Sequence, residues 1–474
     1  MDTRDLPQTR PSTTASAPDP AGAAQRFSGQ RSVERQWWTG LGSPQLDALE
    51  DEALRRNGDV AAAEAVLRQA RELYLAQRGG LLPNVQLAAS ADRIRNAGVL
   101  ASPLSSNAQS YALYGAQFNV GYVLDVFGGQ RHQIAALAAQ ADTQRFALEA
   151  VRLTLTANVA VTAVQMASLN DQLTETRRAI ACYRHILDVT RRMQALGEGT
   201  TADVASAEAT LEQAEQTLPP LEKQLRQLQD LMGVYVGRSV TDQDLAGPGA
   251  TGLSLAGFRL PTDLPLALPS DLVRQRPDVR AAEANLRAAS AQLGVAVAAR
   301  LPSVTLTGAL GGTSTRLGSL VSADNVLWAV GTSASQVLFD GGASRHLQGA
   351  AEAGLDLAKA QYRSAVLAAL QNTADVLQSI DKDATTLVHA SRAAAAAEHA
   401  AALSRSLFVR GETGIIPART AEAAAAQAQL ALIAARAARF TDTIGLYQAL
   451  GGGWVDRPAT ADDTPPQGPS GARP

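Results

Sequence analysis

From Gln130 to Leu196 the chain runs for well over sixty residues without a glycine or a proline. With both helix breakers missing, the stretch reads as one continuous α-helix, on the order of 100 Å long at 1.5 Å per residue. Inside it Leu155, Thr162, Leu169, Thr176 and Tyr183 step by seven. Val159, Met166, Leu173, Ile180 and Leu187 do the same four residues later. A strict seven-residue repeat is the seam of a left-handed coiled coil. A compact domain cannot bury a helix of that length, so the chain must build a rod and supply it with partners.

The rest of the composition suits helix-on-helix packing, being rich in alanine and poor in aromatics. The 42 basic and 45 acidic residues are interspersed, leaving a net charge of −3 and no basic face for nucleic acid. The single cysteine, Cys182, lies inside the long helix, which excludes a disulfide framework and a cysteine metal site. No phosphate-cradling loop, nucleophile elbow or H-E-x-x-H is present, so neither an enzyme nor a cofactor or metal is expected. His132 and His346 sit at equivalent points near the starts of two long helices, but no second ligand lies at helical spacing. No apolar run reaches the length of a membrane-spanning helix, which leaves a β-barrel open. Segments 1–36 and 455–474 are rich in Pro, Ser, Thr, Ala and Arg and are expected to lack a fold.

Order begins at Trp37-Trp38, and one amphipathic helix is expected from Pro44 to Arg78, ended by Gly79-Gly80. The period then changes to two. Val85, Leu87 and Ala89 alternate with Gln86, Ala88 and Ser90; Tyr114, Phe118, Val120, Tyr122 and Leu124 share one face opposite Gln117, Asn119 and Gly121. These are two-faced strands within 81–127. The long helix after Gly128-Gly129 stops at Gly197-Glu198-Gly199, and Thr200-Thr201 can cap a returning helix that reaches Gly233, interrupted at Pro219-Pro220. A Gly/Pro-rich linker, 234–269, follows.

The pattern then repeats. Residues 57–70 (NGDVAAAEAVLRQA) align without gaps on 276–289 (RPDVRAAEANLRAA), and Leu82-Pro83 falls on Leu301-Pro302. A second hairpin fits 301–340, and a second pair of helices fits 341–450, turning at Gly411-Glu412-Thr413-Gly414 with Pro417 in the first turn of the return. The duplicated chain thus supplies four strands, two long helical hairpins, and shorter helical segments at 37–80 and 270–300. Four strands cannot close a barrel, and open edges in lipid leave backbone groups unpaired at several kcal/mol each. Either subunits share one membrane barrel, or the hairpins are small soluble sheets on a coiled-coil scaffold. Alternation alone leaves both open.

Three stretches resemble the outer-membrane factor family, the TolC-like exit ducts of Gram-negative tripartite pumps, and most of all its NodT-type branch of efflux lipoproteins. They are Trp37-Trp38 with the Gly42–Leu54 helix start and Asn57-Gly58-Asp59; residues 268–289, LPSDLVRQRPDVRAAEANLRAA; and the ending 446–454, LYQALGGGW. Weaker matches are Gly197–Val204 and Leu218–Leu221. The resemblance covers 37–454. It implies a mainly α fold with membrane β-strands, in which a homotrimer forms a twelve-stranded β-barrel on an α-helical barrel through the periplasm, with an equatorial belt around 234–269. It also implies a periplasmic adaptor (membrane fusion) protein, an inner-membrane pump of the RND type and contact with outer-membrane lipids. The function implied is passive export of small molecules such as drugs or toxic compounds. Type I protein secretion, or a scaffold without a pore, are the alternatives.

In that family acidic residues just past each helical turn ring the periplasmic mouth. Asp203 fits this place, with Glu198, Glu412 and Arg419 as further charges; in the second repeat the matching positions hold Pro417 and Thr420. An Asp in a first helical turn is also an ordinary cap. The turns themselves, Gly197, Gly199, Thr200 and Thr201 with Gly411, Thr413, Gly414 and Ile415, are implied adaptor-docking tips. Their glycines serve tight helix reversals. Tyr111, Tyr114, Tyr122 and Trp328 are candidates for an aromatic girdle. The NodT-type branch usually begins with a signal peptide and an acylated cysteine. No cysteine precedes residue 182 here, so either the start is mis-set or trimmed, or this member is not acylated.

Overall fold

A computed structural model describes residues 13–19, 21–28, 33–100, 102, 106–238, 252–266 and 275–454. The C-terminal segment 455–474 and the start of the LPSDLVRQRPDV motif lie outside the described residues. The chain divides into two compact units. One takes in Met1–Glu64, Phe146–Arg280 and Ser364–Pro474; the other takes in Ala65–Arg145 and Ala281–Arg363.

The second unit holds a four-stranded antiparallel sheet of β2 (Asn84–Arg95), β3 (Ser110–Leu124), β5 (Ser303–Ser314) and β6 (Val326–Ser335). Its order is β2-β3-β5-β6, so β2 and β6 are its edges. Register fixes the faces. Leu87 lies opposite Phe118, Phe118 opposite Leu310, and Leu310 opposite Trp328. Because side chains alternate, Val85, Tyr114, Val120, Tyr122, Leu306, Val326 and Val330 share this face. The other face carries Gln86, Ser90, Gln117, Asn119, Thr305, Thr307 and Ser333. Strand β2 runs to Arg95, past the Val85–Ser90 alternation legible in the sequence, because beyond Ser90 its face pattern continues in charged residues rather than apolar ones. Two girdle candidates need correction. Tyr111 pairs with Ile94 and so lies on the polar face, and Trp328 lies level with Phe118, midway along the band. Tyr114 and Tyr122 remain, on the apolar face and about 26 Å apart along the strand.

The first unit contains most of the helical mass. The expected helix from Pro44 to Arg78 is two helices, α1 (Pro44–Arg56) and α2 (Gly58–Gly79). Asn57 breaks them: its Oδ1 accepts from the Asp59 and Val60 amides, while its Nδ2 donates to the Tyr235 carbonyl 3.1 Å away. In the second repeat Arg276 stands there, donating to Asp278 and to the Ala449 carbonyl before α6 (Pro277–Ala298). The long helices are α3 (Gly129–Ala195) and α7 (Ala343–Val409), and the returns are α4 (Thr201–Glu215), α5 (Leu218–Tyr235) and α8 (Ile415–Ala449). Nine of the ten heptad positions on α3 are buried; Tyr183 is half-buried. One correction concerns hydropathy: a window of α3 is apolar enough by composition to cross a membrane, and half of it is buried inside the protein. Alanines and the coiled-coil seam produce that signal.

The N-terminal segment also departs from expectation. Strand β1 (Arg26–Ser28) pairs in parallel with β4 (Asp263–Pro265). Gln25 is fully buried, bonded to Thr443 and to Arg439 on α8, and the Asp19 carboxylate accepts from Nε and Nη2 of Arg436. Local composition predicted no fold here because these residues gain their stability from polar partners more than four hundred positions away. The described part of the linker is likewise packed: Leu253, Leu255, Phe258, Leu260 and Leu264 are buried, and Phe258 meets Phe440 at 5.9 Å between rings.

Candidate functional site at the two helical turns

Both long helices end the same way. After α3, Gly197 at φ +79° allows its amide to bond the Gln194 carbonyl and the Glu198 amide to bond that of Met193. After α7, Gly411 at φ +74° lets its amide bond Phe408 and the Glu412 amide bond Leu407. This is one Schellman ending used twice, and it requires glycine at the left-handed position. Glu198 and Glu412 therefore occupy equivalent places, and Glu412 pairs with Arg410 at 2.8 Å.

The returns differ. Thr200 caps α4 and forms a full capping box with Asp203: the Asp203 amide donates to Thr200 Oγ1, and Asp203 Oδ2 accepts from the Thr200 amide at 2.8 Å and its hydroxyl at 2.7 Å. These bonds hold the exposed Asp203 carboxyl below its ordinary range. Thr201 accepts from Gln194, tying the turn across. In the second hairpin Gly414 occupies the cap position without a side chain, Ile415 opens α8, and Pro417 stands where Asp203 stands in the first.

Behind each turn the helices are held by charge. In the first hairpin Arg177, Arg184 and Arg191 pair with Glu222, Glu215 and Glu208 at 2.9, 2.8 and 3.1 Å. Both sets step by seven and run in opposite directions, as in an antiparallel coiled coil. The second hairpin keeps the rung nearest its turn, Arg405–Glu422 at 2.7 Å, with Glu422 buried and Arg405 exposed. Glu422 also accepts from Arg419 on its own helix and lies 3.8 Å from the Cys182 thiol on α3. Burial would raise the Glu422 carboxyl, but the two arginines outweigh this and hold it low; the Cys182 thiol is pushed up by burial and by Glu422. The structure therefore sets Arg419 against Glu422 rather than leaving it as a free charge at the turn. Sequence reading missed Glu422; the recurring Arg/Glu spacing of the two hairpins was the available signal.

The profile of the outer membrane efflux protein family matches residues 49–233 and 268–452, one copy on each repeat. The chain belongs to that family. Like its relatives it is an outer-membrane protein with a large periplasmic part, the outer-membrane component of an efflux system. It is 29% identical over 428 residues to the pyoverdine export outer membrane protein OpmQ of Pseudomonas aeruginosa, covering 89% of this chain and 88% of that one. It is 28% identical to the outer membrane protein OprJ of the same organism, covering 92% and 89%. Among solved structures, the outer-membrane channel OprN shares 27% identity with a TM-score of 0.79 over 94% of this chain and 98% of that one. The Campylobacter jejuni CmeC channel shares the fold, with a TM-score of 0.83 at 19% identity over 97% and 96%. These solved relatives of the efflux protein are channels.

Proposed function

We propose that three copies of this efflux protein join their sheets edge to edge into a twelve-stranded barrel and continue it with their long helices as a passive exit duct. The observation that carries this is the sheet: four strands, two open edges, one apolar face and one polar face. In lipid the β2 and β6 backbones need partners, and the neighbouring copies' edges supply them. The apolar face meets hydrocarbon and the polar face lines the lumen. The chain is not an enzyme; the energy for export comes from an inner-membrane pump of the RND type, reached through a periplasmic adaptor that docks on the Gly197–Thr201 and Gly411–Ile415 turns. The cargo is small molecules, in keeping with relatives named for pyoverdine export and toluene efflux.

At the periplasmic mouth three copies of Asp203 form an acidic ring, extended by Glu198, while Glu412 is balanced by Arg410. Like charges around a narrow opening attract cations. Arg419 adds no free charge because Glu422 holds it. Single-channel recording tests both levels. The wild-type protein, extracted in detergent, is expected to conduct with cation preference, and Asp203→Ala to weaken that preference. Unchanged selectivity removes Asp203 from the mouth, and a water-soluble monomer without conductance overturns the duct.

A further inference from the structure

On the apolar face of β2 the outward positions read Val85, Leu87, Ala89, Ala91, Arg93 and Arg95. The two arginines follow directly on the apolar run, at the strand end remote from the long helices. Across from them on β3 stand Ala112 and Ser110, which are small and uncharged. Asp92, the nearest acid in sequence, has the opposite parity and so points to the polar face. Both arginines are exposed, and among the described residues neither has an ion-pair partner. Among the strand positions that share this face, Arg93 and Arg95 are the only basic residues. Unpaired cationic charge on this face is therefore concentrated at one end of the band.

We propose that Arg93 and Arg95 bind the phosphate of a phosphorylated glycolipid in the outer leaflet, an inference that rests on the barrel reading above. Two residues apart on a strand, the guanidinium groups rise from the same face about 7 Å from each other. Each offers planar paired donors suited to phosphate oxygens. Tyr114, level with Ala91, marks the upper rim of the hydrocarbon band, so the arginines stand at headgroup height while acyl chains lie along Val85, Leu87 and Phe118. Ordinary snorkelling to water would place the same side chains there but would not discriminate among headgroups. A seam between copies is the other use: in a closed barrel the neighbour's β6, headed by Asp324, lies beside β2.

Native mass spectrometry of the detergent-extracted assembly separates these readings. Wild type, Arg93→Gln/Arg95→Gln and Asp324→Asn are each incubated with diphosphorylated lipid A, with its dephosphorylated form and with phosphatidylglycerol. Wild type is expected to retain the diphosphorylated glycolipid about thirtyfold better than the dephosphorylated form, from roughly one unit of surface attraction per arginine. The double variant is expected to lose that preference while remaining an assembly of the same mass. Equal retention by wild type and double variant overturns the proposal, as does retention of phosphatidylglycerol equal to that of lipid A. Dissociation of both the double variant and Asp324→Asn assigns the arginines to the seam and overturns it too. A wild-type chain that forms no assembly contradicts the barrel instead.

Discussion

Asp203 combines a capping role with the proposed charge at the mouth, and substitutions separate the two. Asparagine preserves much of the capping geometry without the charge, whereas Thr200→Ala weakens the cap and leaves the charge. Asp203→Asn is expected to lose cation preference with little change in melting temperature, and Thr200→Ala to do the reverse; single-channel recording beside a thermal melt checks this. Glu422 is a buried group whose value depends on its partners. Glu422→Gln leaves Arg405 and Arg419 without their carboxylate and is expected to cost about 2 kcal/mol in stability, read by denaturant melts. Asp442 on α8 gives a pH signature. Burial and the neighbouring Asp383 push it to about 7, above the 3.8 of the unfolded chain. The folded state therefore binds the extra proton, and this stabilisation is complete below about pH 4 and lost as pH rises through 7. In Asp442→Asn the fall in melting temperature between pH 5 and 8 is expected to shrink. Of these residues the sequence revealed only Asp203, because its cap lies within four positions. Glu422 was signalled only by the Arg/Glu spacing shared between the hairpins, and Asp442 acquires its character from Asp383 on another helix.

The two helical hairpins share one ending but differ in how they are tied. The first has a three-rung ladder of exposed Arg–Glu pairs beside a core of Ile180, Leu187 and Leu211; the second keeps one rung, whose glutamate alone is buried. An exposed rung contributes about 0.5 kcal/mol and mainly fixes register. Arg184→Glu should loosen the first hairpin by roughly that amount plus the new repulsion, and adding Glu215→Arg should restore it, as a double-mutant cycle by thermal melting would show. Asn57→Ala removes the cap between α1 and α2 and should cost about 1 kcal/mol. Long elements were legible because seven-residue and two-residue periods persist over many turns. The α1–α2 break was not, although Asn57-Gly58-Asp59 is a capping signal, since apolar residues continue in helical spacing across it. Strand faces were readable wherever apolar and polar residues alternate, and failed at Tyr111, where parity rather than residue type decides the face.

At the scale of the whole molecule, the duplication and the family motifs made the fold class legible, while the N-terminal strap was not. Asp19 and Gln25 sit in a stretch of disordered composition and are fixed by Arg436, Arg439 and Thr443 at the far end of the chain. No local pattern encodes such a contact. The central claim concerns the two open edges of the sheet. Within one chain β2 and β6 are separated by two strands, about 14 Å at ordinary strand spacing, beyond the reach of a disulfide. In a Cys182→Ser background, Ser90→Cys on β2 can be combined with Leu327→Cys, Ala329→Cys or Gly331→Cys on β6, and the cells oxidised before denaturing electrophoresis. The shared barrel predicts covalent trimers for at least one pairing and none from either single cysteine. Monomers throughout, with the protein folded and in the membrane fraction, would contradict it.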